Sequence, residues 1–144
     1  MIRKFRPQDT DALVAIWQSA SSLAHPFLSE AFVAQEAINL RTLHLPSAET
    51  WVLEDKEKPV GFIALIGDEI GGLFLSPAYH RQGLGKAMVD HAVSVKGPLR
   101  VEVFERNAIG RRFYDQYGFV EISRYRHPAA DEMILRLALP PQRP

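Results

Sequence analysis

The stretch SPAYHRQGLGKAM, residues 76–88, sets two glycines, Gly83 and Gly85, among His80, Arg81 and Lys86. The apolar run GGLFL precedes it and an apolar-periodic segment follows, so it reads as a turn from a strand into a helix. The first amides of a helix have no partner within the helix and carry a partial positive charge, which favours an anion. Glycine lets backbone approach that anion without a Cβ in the way. Arg81 and Lys86 add charge, and an arginine can grip phosphate with two parallel bonds. The chemistry expected is phosphate binding.

Two familiar phosphate loops do not fit. The dinucleotide fingerprint G-x-G-x-x-G would need a third glycine where Met88 stands. A Walker loop would need glycine in place of His80 and a metal-binding hydroxyl in place of Ala87. A second run, NAIGRRFYDQYGF at 107–119, reads as a short helix with Asn107 at its cap and Gly118 at its end. It carries Tyr114, whose phenol has an ordinary pKa of about 10 and is protonated at neutral pH.

The elements that must position these groups follow from periodicity and breakers. MIRKF is a short strand. A helix opens after Pro7 with Asp9 or Thr10 as N-cap, and Leu13, Ile16, Trp17 and Ala20 form its apolar stripe. SSLAHPFLS is expected to be a loop, because His25-Pro26 breaks the helix. A second helix runs from near Ser29 to about Leu43, and Pro46 ends the helical region. WVLED and VGFIALI form a hairpin across KEKP, and the second run is apolar enough to be buried on both faces. EIGGLFL is the next strand, with Gly71-Gly72 marking a bulge or a close backbone approach. The helix from Leu84 to about Val95 places Leu84, Met88, His91, Ala92 and Val95 on one face, and Gly97-Pro98 stops it. LRVEVF alternates, with Leu99, Val101 and Val103 inward. FVEISRYR and EMILRLAL close the fold as two strands joined through His127-Pro128, and PPQRP is a disordered end. This order predicts an α/β (α+β) fold: one mixed, mostly antiparallel sheet with helices on both faces, in a single domain over 1–144.

Composition narrows the class. Seventeen basic residues balance seventeen acidic ones among 144, so nothing favours nucleic acid as a partner. No cysteine is present, which excludes disulfides and cysteine-held zinc. No run is apolar and long enough for a signal peptide or a membrane span, and the expected setting is cytoplasmic, without a membrane partner.

Together the two runs resemble the motifs of the GNAT superfamily of N-acetyltransferases, of the bacterial type. The acyl-coenzyme A loop of that family, [QR]-x-x-G-x-[GA], is met by His80-Arg81-Gln82-Gly83-Leu84-Gly85, with His80 departing from Gln or Arg. Its later motif, N-x-x-A-x-x-F-Y-x-x-x-G-F, is met by Asn107, Phe113, Tyr114, Gly118 and Phe119, with Gly110 in place of the usual alanine. The resemblance covers nearly the whole chain and implies a twisted sheet of about seven strands, the fourth and fifth splayed. It implies acetyl-coenzyme A as cosubstrate, no metal, and a small-molecule or peptide amine as acceptor, in a monomer or homodimer. A catalytically silent acyl-coenzyme A binding domain is the alternative. Carried over residue by residue, Arg81, Gln82, Gly83, Leu84, Gly85 and Lys86 cradle the pyrophosphate. Leu73, Phe74 and Leu75 offer main-chain bonds to the pantetheine arm, and an N–H near Leu75 meets the oxyanion. Asn107 orients the cofactor or caps its helix, and Tyr114 gives the leaving sulfur a proton. Glu69, Glu102 and Glu105 are the carboxylates near the reaction, with Glu102 the first choice as base. His25 and Phe27 line the acceptor side.

Overall fold

A strand that is apolar at every position needs cover on both faces, and its two sides must then build two cores. The strand Lys58–Ile66 (β3) does this: every residue from Val60 to Leu65 is buried. The computed structural model describes residues 1–141. Its seven strands form one sheet in the order β1-β2-β3-β4-β5-β7-β6. The remaining strands are Ile2–Lys4 (β1), Glu49–Asp55 (β2), Glu69–Leu75 (β4), Arg100–Phe104 (β5), Val120–His127 (β6) and Glu132–Ala138 (β7). All neighbours are antiparallel except β4 and β5, which are parallel. The splayed α/β architecture expected from the sequence is the one observed.

Alternation along β2 and β3 sorts the two cores. Val52 and Phe62 face helix Thr10–Ala24 (α1), where Leu13, Val14, Ile16 and Trp17 meet them. Leu53, Ile63 and Leu65 face the other way, toward Met88, Val89 and Ala92 of helix Leu84–Lys96 (α4) and Tyr114 of helix Ala108–Tyr117 (α5). Leu99, Val101 and Val103 join this second core, as alternation requires.

Several boundaries differ from expectation for identifiable reasons. Helix α1 continues through Ser21–Ala24, a segment expected to be loop, because Pro26 constrains only the residue before it; His25 leaves the helix with φ −126° and ψ 52°. Asp9 sits at the N-cap position yet does not cap. Its carboxylate accepts two bonds from Arg3, each 2.8 Å, and one from the Arg6 amide at 2.8 Å, tying β1 to α1. Helix Glu30–Asn39 (α2) begins at a true cap, the Ser29 hydroxyl accepting from the Phe32 amide. It then widens into a π-turn at Leu40–His44 and ends in the short helix Leu45–Ser47 (α3), so Pro46 falls inside the helical region rather than closing it. Val95 is exposed, off the inner face of α4. Pro140 and Pro141 follow β7 without regular structure, and the rest of the expected disordered tail lies outside the described residues.

The β2–β3 hairpin turns on Lys56 and Glu57, with φ of 52° and 67°. Two left-handed residues are what a tight primed turn demands, and neither is glycine or asparagine. Each side chain crowds its own carbonyl there. Replacing the pair by Asn-Gly (Lys56→Asn with Glu57→Gly) should raise unfolding stability by about 1 kcal/mol in urea titration. An unchanged or lower midpoint would show that the turn stores no strain.

Candidate active site

The site begins where two strands part. β4 and β5 pair only through Glu69↔Arg100 and Ile70↔Val101. The next residue of β4, Gly71, is the bulged one: Ala64 pairs with Gly72 and Leu65 with Ile70. A bulge bends its strand, so β4 turns away from β5 just where their pairing ends. Beyond it the antiparallel alternation with β3 is set by the Ser76 amide donating to the Val60 carbonyl at 2.8 Å. With that phase, the main chain of Phe74 turns to β3, while the N–H and C=O of Leu73 and Leu75 turn to the gap. Of the three residues expected to offer main-chain bonds there, Leu73 and Leu75 are positioned to do so and Phe74 is not. The Leu75 carbonyl is already engaged, accepting from His80 Nε2 at 3.0 Å.

The glycine turn faces the same gap. Gly83 is left-handed with φ 75°, and a Cβ placed there would meet nothing within 4 Å, so its outer side is open. Gly85 is small for another reason: a Cβ there would lie 3.0 Å from Phe113 Cε1, so glycine lets α4 begin directly on the α5 ring. Helix α4 starts at Leu84, so the amides of Leu84, Gly85 and Lys86 have no carbonyl one turn back within it. Arg81 is also left-handed, with φ 64°. Lys86 Nζ lies 2.9 Å from Asp90 Oδ2, and the Tyr117 hydroxyl donates to Asp90 Oδ1 at 2.6 Å. Gln82 turns back to the Ala78 carbonyl at 3.3 Å. Arg112 lines the cleft, whereas Arg111 donates to the Glu105 carbonyl.

These parts enclose a cleft of about 930 Å³, walled by Ala20, Leu23 and Ala24 of α1, the end of β4, the glycine turn and one face of α5. Tyr114 lines it and is 7% exposed, its ring set edge-on against Phe113 and Phe119 at 5.2 Å each. Burial pushes the phenol pKa up, so Tyr114 stays protonated well past neutrality. Among the described residues Asp90 is the one carboxylate on the cleft wall, against the cations Arg81, Lys86 and Arg112. The cleft is rich in donors and poor in free acceptors.

A family model for the acetyltransferase (GNAT) domain matches residues 46–121, which hold the splayed strands, the glycine turn and α5. The chain belongs to the GNAT family of N-acetyltransferases. It is similar to the peptidyl-lysine N-acetyltransferase YjaB of Salmonella typhimurium, with 38% identity over 119 residues, 82% of this chain and 81% of that protein. The solution structure of apo YjaB from Escherichia coli superposes with a TM-score of 0.88 at 31% identity, covering 99% of this chain and 98% of that one. The PaiA N-acetyltransferase of Thermoplasma acidophilum, solved with coenzyme A, shares the fold with a TM-score of 0.79 at 18% identity, over 94% of this chain and 96% of that one.

Both departures from the GNAT motifs have a structural counterpart. His80 replaces Gln or Arg and spends its ring nitrogen on the Leu75 carbonyl, locking the glycine turn to the end of β4. Gly110 replaces alanine because the Asn107 side chain folds back over it: Oδ1 accepts from the Gly110 amide at 2.8 Å, and a Cβ on Gly110 would lie 2.5 Å from Nδ2. That Nδ2 reaches His25 Nε2 at 3.2 Å, and His25 Nδ1 reaches the Ser21 hydroxyl at 3.0 Å. Both ring nitrogens of His25 are therefore engaged within the protein, and neither His25 nor Phe27, the pair expected to line the acceptor side, stands on the wall of the cleft that Tyr114 lines. Burial lowers the His25 pKa to about 4, so the ring is neutral at physiological pH.

Phe27 stands beside His25, ring centroids 5.9 Å apart. Sequence reasoning missed the residues that complete this patch. Phe104 touches both rings at 5.1 and 5.7 Å, and His127 and Phe32 extend it. Their signal was alternation: Phe104 lies on the β5 face opposite Val103.

Glu102 is not brought to the cleft that Tyr114 lines. It opens on a smaller hollow with Glu69, Arg100, Ile122 and Arg136. There it accepts from the Tyr125 hydroxyl at 2.8 Å and from Arg136 Nε at 3.0 Å. Alternation turned it away from the inner core, and β7, its neighbour in the sheet, supplied the arginine. Glu105 is likewise held, by Arg124 at 2.9 Å.

Two effects compete in Gly110→Ala. Helix propensity alone favours alanine by about 1 kcal/mol. The clash with the Asn107 amide opposes it, and overpacking at such contacts costs about 1–3 kcal/mol. The variant should be the less stable protein in urea unfolding, against the usual rule for a helical glycine. A stabilised variant would show that Asn107 moves aside without loss.

Proposed function

We propose that the chain, acting as one domain, transfers an acetyl group from acetyl-coenzyme A to a primary amine by direct attack in a ternary complex, and that the amine is a lysine side chain of a peptide or protein. The observation that carries this reading is the convergence in one cleft of unpaired β4 main chain, unpaired amides at the start of α4, and the buried Tyr114 phenol. The name of the Salmonella relative, a peptidyl-lysine N-acetyltransferase, supports the acceptor class.

Each part has a task that its chemistry fits. The amides of residues 81–86 and the side chain of Arg81 meet the pyrophosphate, with open space over Gly83 for its approach. The N–H and C=O of Leu73 run beside the pantetheine arm in the place a fifth-strand neighbour would take. The Leu75 N–H, turned to the gap, meets the oxyanion that develops on the thioester carbonyl. The amine nitrogen forms the new C–N bond and the C–S bond breaks. Tyr114 gives its proton to the departing sulfur and recovers one from solvent, which takes the proton that the amine loses. Glu102, held by Arg136 and Tyr125, stays outside this chemistry.

Two measurements test the assignment. Tyr114→Phe should lower kcat by about 10²-fold or more while leaving acetyl-coenzyme A binding within threefold, since only the donated proton is removed; Glu102→Gln should stay within threefold of wild type in both. Wild-type turnover in Tyr114→Phe would remove the phenol from the mechanism, and a collapse in Glu102→Gln would restore that carboxylate to it. Acetyl-coenzyme A binding without transfer to any lysine peptide would leave the chain a silent binder.

The pH dependence carries a sign. A lysine amine has an ordinary pKa of about 10.4 and attacks only when neutral, so kcat/KM should climb as pH rises from 7. Tyr114 must stay protonated to act as donor, and burial moves its pKa upward, so no descending limb should appear below about pH 10. A fall beginning near pH 8 would mean that another group supplies the proton.

A further inference from the structure

Helices α1 and α5 both wall the cleft and touch each other. Among the described residues, the side-chain hydrogen bonds that link the end of one to the start of the other pass through one imidazole. Asn107 Oδ1 accepts from the Gly110 amide, which orients the side-chain amide and leaves Nδ2 pointing at His25 Nε2. Nδ2 can only donate, so Nε2 must accept, and the ring proton must sit on Nδ1. From Nδ1 it is donated to the Ser21 hydroxyl at 3.0 Å. Ser21 is 3% exposed and Asn107 is 8% exposed, so neither end of this chain is a solvated surface contact. The His25 amide also donates to the Ser21 carbonyl at 2.7 Å, which fixes the backbone that carries the ring. Phe27 and Phe104 hold the ring edge-on from the sides.

The far end of this chain of bonds bears on the chemistry. Asn107, Gly110 and Tyr114 are spaced i, i+3, i+7 and so share one face of α5. Whatever sets the amide of Asn107 sets the start of the helix whose second turn delivers the Tyr114 hydroxyl. Small displacements of such a group are costly, of order 10²-fold in rate for about 1 Å.

We propose that His25 is a positioning residue. As the neutral Nδ1–H tautomer it clasps Asn107 to the end of α1 and so holds α5, and Tyr114 with it, against the opposite wall of the cleft. The kinetic part of this proposal rests on the acetyl-transfer reading above; the structural part does not.

Three measurements on the full chain test it. Long-range 15N–1H spectra of the histidine rings should show His25 protonated at Nδ1 at neutral pH. Amide hydrogen exchange at Gly110 should quicken about tenfold or more in His25→Leu and measurably in the milder Ser21→Ala. In turnover with acetyl-coenzyme A and a lysine peptide, His25→Leu should lose tenfold or more in kcat, with KM for acetyl-coenzyme A within threefold. His25→Gln should recover most of the loss, because its carbonyl can accept from Asn107 and its amide can donate to Ser21. An Nε2–H tautomer, unchanged exchange at Gly110 in both variants, or a kcat loss no smaller in His25→Gln than in His25→Leu would each overturn the proposal. If His25→Leu does not fold, Ser21→Ala and His25→Gln carry the same comparison. If wild type transfers no acetyl group, the acetyl-transfer reading fails, and the tautomer and exchange data still decide the clasp.

Discussion

Everything distinctive about this molecule depends on a parallel strand pair that stops after two residue pairs. Each strand remains anchored on its far side, β4 along β3 and β5 through five pairs with β7, so the sheet tolerates a gap in its middle without losing its edges. The bulge at Gly71 supplies the bend, and it falls where pairing ends. A gap of this kind leaves backbone donors and acceptors facing a cavity. Such groups are costly to bury unpaired, and His80 settles one of them, the Leu75 carbonyl. The rest give an extended ligand a strand edge to lie against. Helix α4, in the crossover from β4 to β5, follows the C-terminal end of β4 where the gap opens, and so brings its free first amides to the same space.

The two walls of the gap are different in kind. On one side α4 begins directly on Phe113, with glycine at the contact, so the turn and α5 form one packed unit. On the other side α1 offers small residues, Ala20 and Ala24, to the cleft and reaches α5 through the polar bridge of Ser21, His25 and Asn107. An apolar contact would hold the walls at a distance but would not choose an orientation. Hydrogen bonds with defined donors and acceptors do choose one, and the half-buried ring with its pKa lowered to about 4 keeps that choice across the physiological range. Glycine at 110 is the local cost of this arrangement, since any Cβ there would push the amide of Asn107 out of line.

Much of this was legible in the sequence. Periodicity and breakers located the strands, and the paired glycines at 71 and 72 announced the bulge, because these signals are local. The glycine turn and the Tyr114 helix were legible for the same reason. What escaped was contact between distant segments. Nothing in the spacing of Ser21, His25 and Asn107 shows that an 82-residue separation closes into one hydrogen bond. Alternation put Glu102 opposite the apolar face of β5. It could not say that β7 would set Arg136 beside it and take it out of the cleft, since register is a property of two strands. Phe104 was visible as an apolar residue on the wrong side of its strand, and its meaning appeared only with the partners that reach it from the α1–α2 loop and the β6–β7 hairpin.

The electrostatics of the cleft bear on how a proposed amine acceptor must arrive. In the proposed acetyl transfer negative charge would develop at two points, the carbonyl oxygen and the sulfur, and each would meet a donor that needs no reorganisation: a main-chain N–H and a phenol kept protonated by burial. The pyrophosphate would add standing negative charge, and the turn would answer it with amides and cations. An acceptor for the amine's own proton is what this wall lacks among the described residues, because Asp90 is already shared between Lys86 and Tyr117. On the proposed mechanism such a site would stabilise what leaves more than it activates what attacks. It would favour an acceptor that reaches the thioester already neutral, and a catalytic rate that follows the acceptor's ionisation rather than that of the protein.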